Sequence, residues 1–97
     1  MGSVEIEQVY RQIVEFAEKY GARKVVLFGS RARGTNGARS DIDLAVYDCV
    51  EFEKLYDSLQ EELWSLLTLD IIDMRKDISE SLEREIERDG VVLYEKI

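Results

Sequence analysis

The chain has 97 residues, of which 45% are hydrophobic and 35% are charged, and its formal net charge is −8 at pH 7. This length suits one small domain, residues 1–97, and the acidic balance argues against general nucleic-acid binding. A single cysteine, Cys49, excludes an intramolecular disulfide, and the absence of histidine excludes a Ser-His-Asp triad and the usual zinc sites. Any catalysis must therefore use carboxylates, hydroxyls, basic side chains and metal ions.

Two further absences in the sequence concern location. No apolar run approaches the roughly 20 residues that a membrane helix needs. The N-terminus is acidic and amphipathic, whereas a secretory signal is basic and then apolar. We therefore expect no membrane association and a cytoplasmic location.

The first half of the chain alternates between helix and strand. Apolar residues at helical spacing predict a helix over 3–20, with Ser3 as its cap. Apolar and β-branched residues predict a strand over 23–29, followed by a short helical turn over 30–33. After a loop, a second strand is predicted over 41–47.

The second half continues the alternation. Its predicted elements are a helix over 50–66, a strand over 68–74, a helix over 78–89 and a strand over 91–94. Each helix has the spacing of a capping box ahead of it, Asp48 with Glu51 and Asp77 with Glu80. The alternation predicts an α/β fold with a small mixed β-sheet flanked by helices.

The most informative pattern of the chain lies in residues 29–43. Gly29 and Ser30 follow an apolar strand, and ten residues separate Ser30 from the pair Asp41 and Asp43. Alternate residues of a strand share a face, and two close carboxylates repel each other unless a cation lies between them. Mg²⁺ prefers carboxylate and phosphate oxygens, and a glycine lets the backbone approach a phosphate. The pattern predicts a triphosphate–metal site; the alternative is a polar hairpin with two surface aspartates.

A third carboxylate is expected on the strand over 68–74. Asp70 and Asp73 are three residues apart and so point to opposite faces, which means that only one can join the first pair. Asp70 is favoured because it stands in mid-strand between apolar neighbours, where an aspartate is otherwise unfavourable. The alternative is an edge strand that carries charge against aggregation.

Basic residues cluster around the same motif. Residues 21–40 contain five basic residues and no acidic one. Arg23 and Lys24 are expected only to solubilise the start of a strand. Either Arg31 or Arg33 is expected to neutralise negative charge on the phosphates. Arg39 and Ser40 border the site and either contact phosphate or simply close the loop.

This pattern resembles the nucleotidyltransferase superfamily of the polymerase-beta type, which has Gly-Ser, a spacer, Asp-x-Asp and a later third carboxylate. The spacer and the Gly-Ser-Arg-Ala-Arg-Gly run are similar to minimal nucleotidyltransferases, and the resemblance covers nearly the whole chain. It implies a fold like the polymerase-beta palm. The implied catalytic and metal-binding residues are Asp41, Asp43 and Asp70, and the implied nucleotide-binding residues are Gly29, Ser30, Arg31, Arg33 and Ser40.

The resemblance also implies an activity and a partner. Minimal nucleotidyltransferases are antitoxins that, with two Mg²⁺ ions, transfer AMP from ATP to a tyrosine of a helical HEPN ribonuclease toxin. An alternative is a nucleotide-holding subunit that blocks its partner sterically, and a less favoured one is transfer to a small molecule. The acidic face of the helix over 78–89 is expected to be solvated or to dock on a basic partner. Homo-oligomerisation stays open.

Overall fold

The computed structural model describes residues 6–37, 41–61 and 68–97. Its helices are α1 (Ile6–Lys19), α2 (Ser30–Arg33), α3 (Phe52–Glu61) and α4 (Glu80–Asp89), and its strands are β1 (Lys24–Phe28), β2 (Ile42–Tyr47), β3 (Leu69–Asp73) and β4 (Val91–Glu95). The predicted alternation is confirmed within these ranges, whereas the expected cap Ser3 and the end of the third predicted helix lie outside them. Within the same ranges, no helix is long and apolar enough to cross a membrane.

The four strands form one sheet in the order β3-β2-β1-β4, and its mixture of parallel and antiparallel pairs confirms the predicted mixed sheet. β1 runs antiparallel to β2 and β4, whereas β2 and β3 are parallel. Since β1 is reversed, its carboxyl end lies beside the amino ends of β2 and β3. Phe28, Asp43 and Asp70 are consequently cross-strand neighbours in one row near this end of the sheet.

One face of the sheet carries the larger core. Alternate strand residues meet the apolar faces of α1 and α3 there, since a strand presents every second side chain to the same side. The completely buried side chains at the centre of this core include Val9, Ile13, Val25, Leu44, Val46, Leu55 and Leu59.

The other face carries a smaller core beneath α4. Its buried members are Val26, Phe28, Ala45 and Ile86. Asp43 and Asp70 lie two residues before Ala45 and Ile72, which pack in this core, and so share its face, at the end where α2 begins. The site and α4 therefore share one side of the sheet.

The end of α4 is fitted closely onto β1 at Gly90. A Cβ atom on Gly90 would lie 2.6 Å from Val26 Cγ1 and would overlap the carbonyl oxygen of Ile86. The Gly90 N–H donates to that same carbonyl and ends the helix. Glycine is required here for close approach, because its backbone is in the ordinary extended region (φ −65°).

Both capping-box predictions are wrong. The helix expected from residue 50 begins at Phe52, and the N–H groups of Val50 and Glu51 in the turn before it donate to main-chain carbonyls of the turn that follows α1. Asp48 instead adopts a positive φ of 48° in the turn before it. At α4 the cap is Ser79, whose hydroxyl accepts a hydrogen bond from the Leu82 N–H.

Candidate active site

Gly29 connects β1 to α2 and is buried against Asp43. Its φ of 80° lies in the left-handed region that L side chains avoid. A Cβ atom at this position would also overlap Asp43 Oδ2 and lie 3.2 Å from Asp43 Cγ. The glycine is therefore required twice, once for the turn and once so that the main chain can contact the carboxylate.

Asp43 and Asp70 are direct neighbours on the parallel strands β2 and β3. Asp43 is half-buried, Asp70 is exposed, and Asp41 is exposed one residue before β2 begins. Since Ile42 and Leu44 are buried on the opposite face, the alternation predicted for this strand is confirmed. The fold thus brings two of the three predicted carboxylates into register and puts the third beside them.

Electrostatic coupling links these carboxylates. Burial raises the pKa of the Asp43 carboxyl above its ordinary value, and the negative charges of Asp70, Asp41 and Glu85 raise it further, whereas the Arg33 guanidinium lowers it. Burial and like charges both disfavour an ionised carboxylate. A divalent cation would stabilise the ionised form, so the electrostatics of this edge fit a cation site.

Asp73 lies on the opposite face of β3 and takes no part in this cluster. It is buried and forms two hydrogen bonds of 3.1 Å with the Arg75 guanidinium, from Nε and Nη2. The Arg75 N–H also donates to it. Asp73 is the last residue of β3, and its buried charge is neutralised there by Arg75.

The predicted phosphate contacts fall partly on α2. Ser30 is the first residue of this single turn, and the N–H groups of Ala32 and Arg33 donate to the Gly29 carbonyl. Ser30 and Arg31 are both half-buried. Ser40 and its neighbour Arg39 lie outside the described residues, so their predicted contacts stay predictions.

Arg33 joins α2 to α4. Its Nη1 lies 3.3 Å from Asp89 Oδ2 and 3.8 Å from Glu85 Oε2. Sequence reasoning assigned the acidic face of α4 to solvent or to a partner and so missed both contacts. The only available signal is that Glu85 and Asp89 are four residues apart on one helical face; nothing local pairs that face with residue 33.

The donor set of the site suits a hard divalent cation. Asp41, Asp43 and Asp70 offer only carboxylate oxygens, which Mg²⁺ prefers. In the ranges 6–37, 41–61 and 68–97, no group of three or more Asp, Glu, Cys or His side chains is arranged to hold a metal ion as it stands. The chemistry and charge of the residues fit Mg²⁺, and the metal site itself stays a prediction.

Comparison with solved structures shows what this fold is similar to. A toxin–antitoxin structure with AMP-PNP is 26% identical over 90% of this chain and 73% of that chain, with a TM-score of 0.69. The structure of a tri-AMPylated Shewanella oneidensis HEPN toxin in complex with its MNT antitoxin is 21% identical over 95% and 74%, with a TM-score of 0.66. The MntA–HepT toxin–antitoxin structure is 22% identical over 93% and 73%, with a TM-score of 0.63.

The identities of 21% and 22% show a shared fold alone. No curated protein matched the chain. The family model described as polymerase beta, nucleotidyltransferase matches residues 11–97, which includes Gly29, Ser30 and the three carboxylates. The chain therefore belongs to the polymerase-beta nucleotidyltransferase family.

Proposed function

We propose that this protein is a Mg²⁺-dependent nucleotidyltransferase that transfers AMP from ATP to a partner protein. The observation that carries the proposal is the row near the end of the sheet. Asp43 lies in register with Asp70, and the Gly29 main chain contacts the Asp43 carboxylate. A glycine beside two paired carboxylates leaves room for a phosphate to approach the main chain. Phosphate and carboxylate oxygens are the ligands that Mg²⁺ prefers, so this arrangement suits a triphosphate and its metal ions.

In the proposed site, Asp41, Asp43 and Asp70 would hold two Mg²⁺ ions, which would neutralise the triphosphate and make the attacking hydroxyl more acidic. Gly29 and Ser30 would hold the β- and γ-phosphates. The remaining predicted contacts, Arg31 or Arg33 with Ser40, would face the negative charge that develops on the leaving group.

The proposed reaction is an in-line displacement at the α-phosphorus. The acceptor oxygen forms a bond to the α-phosphorus, the bond from that phosphorus to the bridging oxygen of the β-phosphate breaks, and pyrophosphate leaves with the bonding electrons. The acceptor proton passes to Asp70 acting as general base, or to solvent if Asp70 only anchors metal. AMP stays on the acceptor.

We infer that the acceptor is a tyrosine of a HEPN-type toxin, for which this chain acts as antitoxin. Complexes of MNT antitoxins with HEPN toxins, one of them AMPylated, share the fold of this chain and support the inference. The similarity to a toxin–antitoxin structure with AMP-PNP supports an adenine nucleotide as the substrate.

Intact-mass spectrometry of the HEPN-type partner tests the function. The partner is incubated with this protein, Mg²⁺ and ATP, and its mass should rise by one or more AMP units. Asp43→Asn and Asp70→Asn should abolish the increase, whereas the matched exposed variant Asp77→Asn should not. A stable complex that neutralises the toxin without any mass increase would favour the steric alternative, and labelling by the Asp43→Asn variant would contradict the proposed site.

A further inference from the structure

We propose that Asp89 and Glu85 of α4 are positioning residues for Arg33, and through it for the turn α2 that carries Ser30. The inference rests on the proposed function, because the ligand it concerns is the nucleoside triphosphate of that reaction. It assigns a role to α4 that the acidic composition of this helix does not suggest.

An ion pair between Arg33 and Asp89 connects α2 to α4. Arg33 Nη1 lies 3.3 Å from Asp89 Oδ2, and the Asp89 side chain is only 11% exposed. Asp89 also accepts hydrogen bonds from Arg88, at 3.1 Å from Nε and 2.9 Å from Nη2. Two guanidinium groups therefore fix the Asp89 carboxylate, and this partly buried pair is screened less by salt than an exposed one.

The two helices differ in how firmly the fold holds them. α4 has ten residues, buries Ile86, and ends at Gly90 in close contact with β1. α2 has only four residues and none of them is buried. A single turn is not stable by itself, because helix nucleation is unfavourable. The firmly packed helix therefore holds the short turn in place.

Arg33 lies close to the proposed carboxylate site, because its turn α2 follows Gly29 directly. The Arg33 N–H donates to the carbonyl of Gly29, which packs against the Asp43 carboxylate. Both ion pairs of Arg33 use Nη1, and a guanidinium carries five N–H donors. The same side chain can therefore remain paired with α4 and donate to a phosphate oxygen, so that α4 orients it for the ligand before binding.

A double-mutant cycle tests this role. The affinity for AMP-PNP with Mg²⁺ is measured by calorimetry for the wild type, Asp89→Asn, Arg33→Gln and the double variant. We expect Asp89→Asn to weaken binding about three- to tenfold and the double variant to bind no more weakly than Arg33→Gln alone, because Asp89 acts only through Arg33. Glu87→Gln, which removes an exposed charge from the same helix, should bind like the wild type.

Additive losses in the cycle, or unchanged binding by Asp89→Asn, would overturn the positioning role while leaving the proposed function intact. A wild type that binds no nucleotide would instead overturn the proposed function, and the inference with it. A second readout needs no ligand: the backbone amide NMR shifts of residues 30–33 should move in Asp89→Asn, recover in Asp89→Glu and stay in place in Glu87→Gln. Unmoved shifts in Asp89→Asn would also refute the inference.

Discussion

Gly29 and Gly34 flank the turn α2 with almost the same backbone geometry, at φ 80° and 79°. Their surroundings differ, because a Cβ atom on Gly29 would overlap the Asp43 carboxylate whereas one on Gly34 would meet nothing within 4 Å. The pair therefore separates two demands on a glycine. Backbone strain is common to both positions, and contact with the site belongs to Gly29 alone.

Alanine at each glycine tests this separation. Both Gly29→Ala and Gly34→Ala should lower the free energy of unfolding by about 1–2 kcal/mol through left-handed strain, measured by urea denaturation. Gly29→Ala should in addition weaken MgAMP-PNP binding on the order of tenfold or more, because it displaces Asp43. Equal nucleotide affinity of the two variants would show that the Gly29–Asp43 contact is not needed for binding.

Asp73 is expected to stabilise the fold and to have no role in nucleotide transfer. The Arg75 guanidinium holds the pKa of the Asp73 carboxyl below its ordinary value of 3.8. A carboxylate with a lowered native pKa stabilises the fold above its unfolded pKa, and this stability is lost as the pH falls through the native pKa. Asp73→Asn should therefore cost about 1–3 kcal/mol at pH 7, and the difference from the wild type should shrink below pH 3.8.

The measurement is urea unfolding of both proteins across this pH range. Asp77→Asn, an exposed aspartate four residues further along, serves as the control and should stay within about 0.5 kcal/mol of the wild type. A difference between Asp73→Asn and wild type that grows as the pH falls would contradict the assigned ion pair.

At the scale of elements, the starts of α3 and α4 show where local pattern reasoning fails. A capping box assumes that a nearby side chain satisfies the first free N–H groups of a helix. Before α3, Asp48 takes a positive φ outside the helical region, and the N–H groups of Val50 and Glu51 donate to main-chain carbonyls of the segment after α1, which is distant in sequence. The helical and strand periodicities themselves predict α1, α3, β1 and β2, since they reflect burial, which the fold enforces.

The true cap of α4 gives a direct test. Ser79→Ala should lower the free energy of unfolding by about 1 kcal/mol, because the Leu82 N–H loses its acceptor. Asp77→Ala, at the position that the sequence pattern favours, should change it by less than about 0.5 kcal/mol. Thermal and urea unfolding measure both, and the reverse order of effects would restore the capping-box interpretation.

Asp70, the third predicted carboxylate, is a part of the candidate site whose position the sequence predicts. The two-residue period of a strand assigns Asp70 and Asp73 to opposite faces, and the register with Asp43 confirms this. β3 is also an edge strand, so the alternative of a protective charge at Asp70 keeps structural support. The contact of Arg33 with Asp89 could not be predicted, because 56 residues separate them and only the packing of α4 brings them together.

At the scale of the whole molecule, cation binding at the proposed site should raise the free energy of unfolding. A ligand that binds only the folded state stabilises it by about 1.4 kcal/mol at ten times its Kd. In this small domain, Mg²⁺ should raise Tm by roughly 5–10 °C at that concentration. Asp43→Asn should abolish the shift, whereas Asp77→Asn should retain it. Equal shifts in the wild type and Asp43→Asn would argue for Mg²⁺ binding elsewhere on this acidic surface.

The strand order has a consequence for biosynthesis. β1 is synthesised before the other three strands of this sheet, yet it pairs with β4, which is synthesised after them, and the Lys96 N–H beyond β4 donates to the Arg23 carbonyl before β1. A nascent chain that ends before α4 contains every proposed catalytic carboxylate but leaves Val26 and Phe28 uncovered. Such long-range pairing delays completion of the fold. We therefore expect the ribosome to finish this domain before the proposed nucleotide site becomes ordered, and a stalled chain to depend on chaperones for protection.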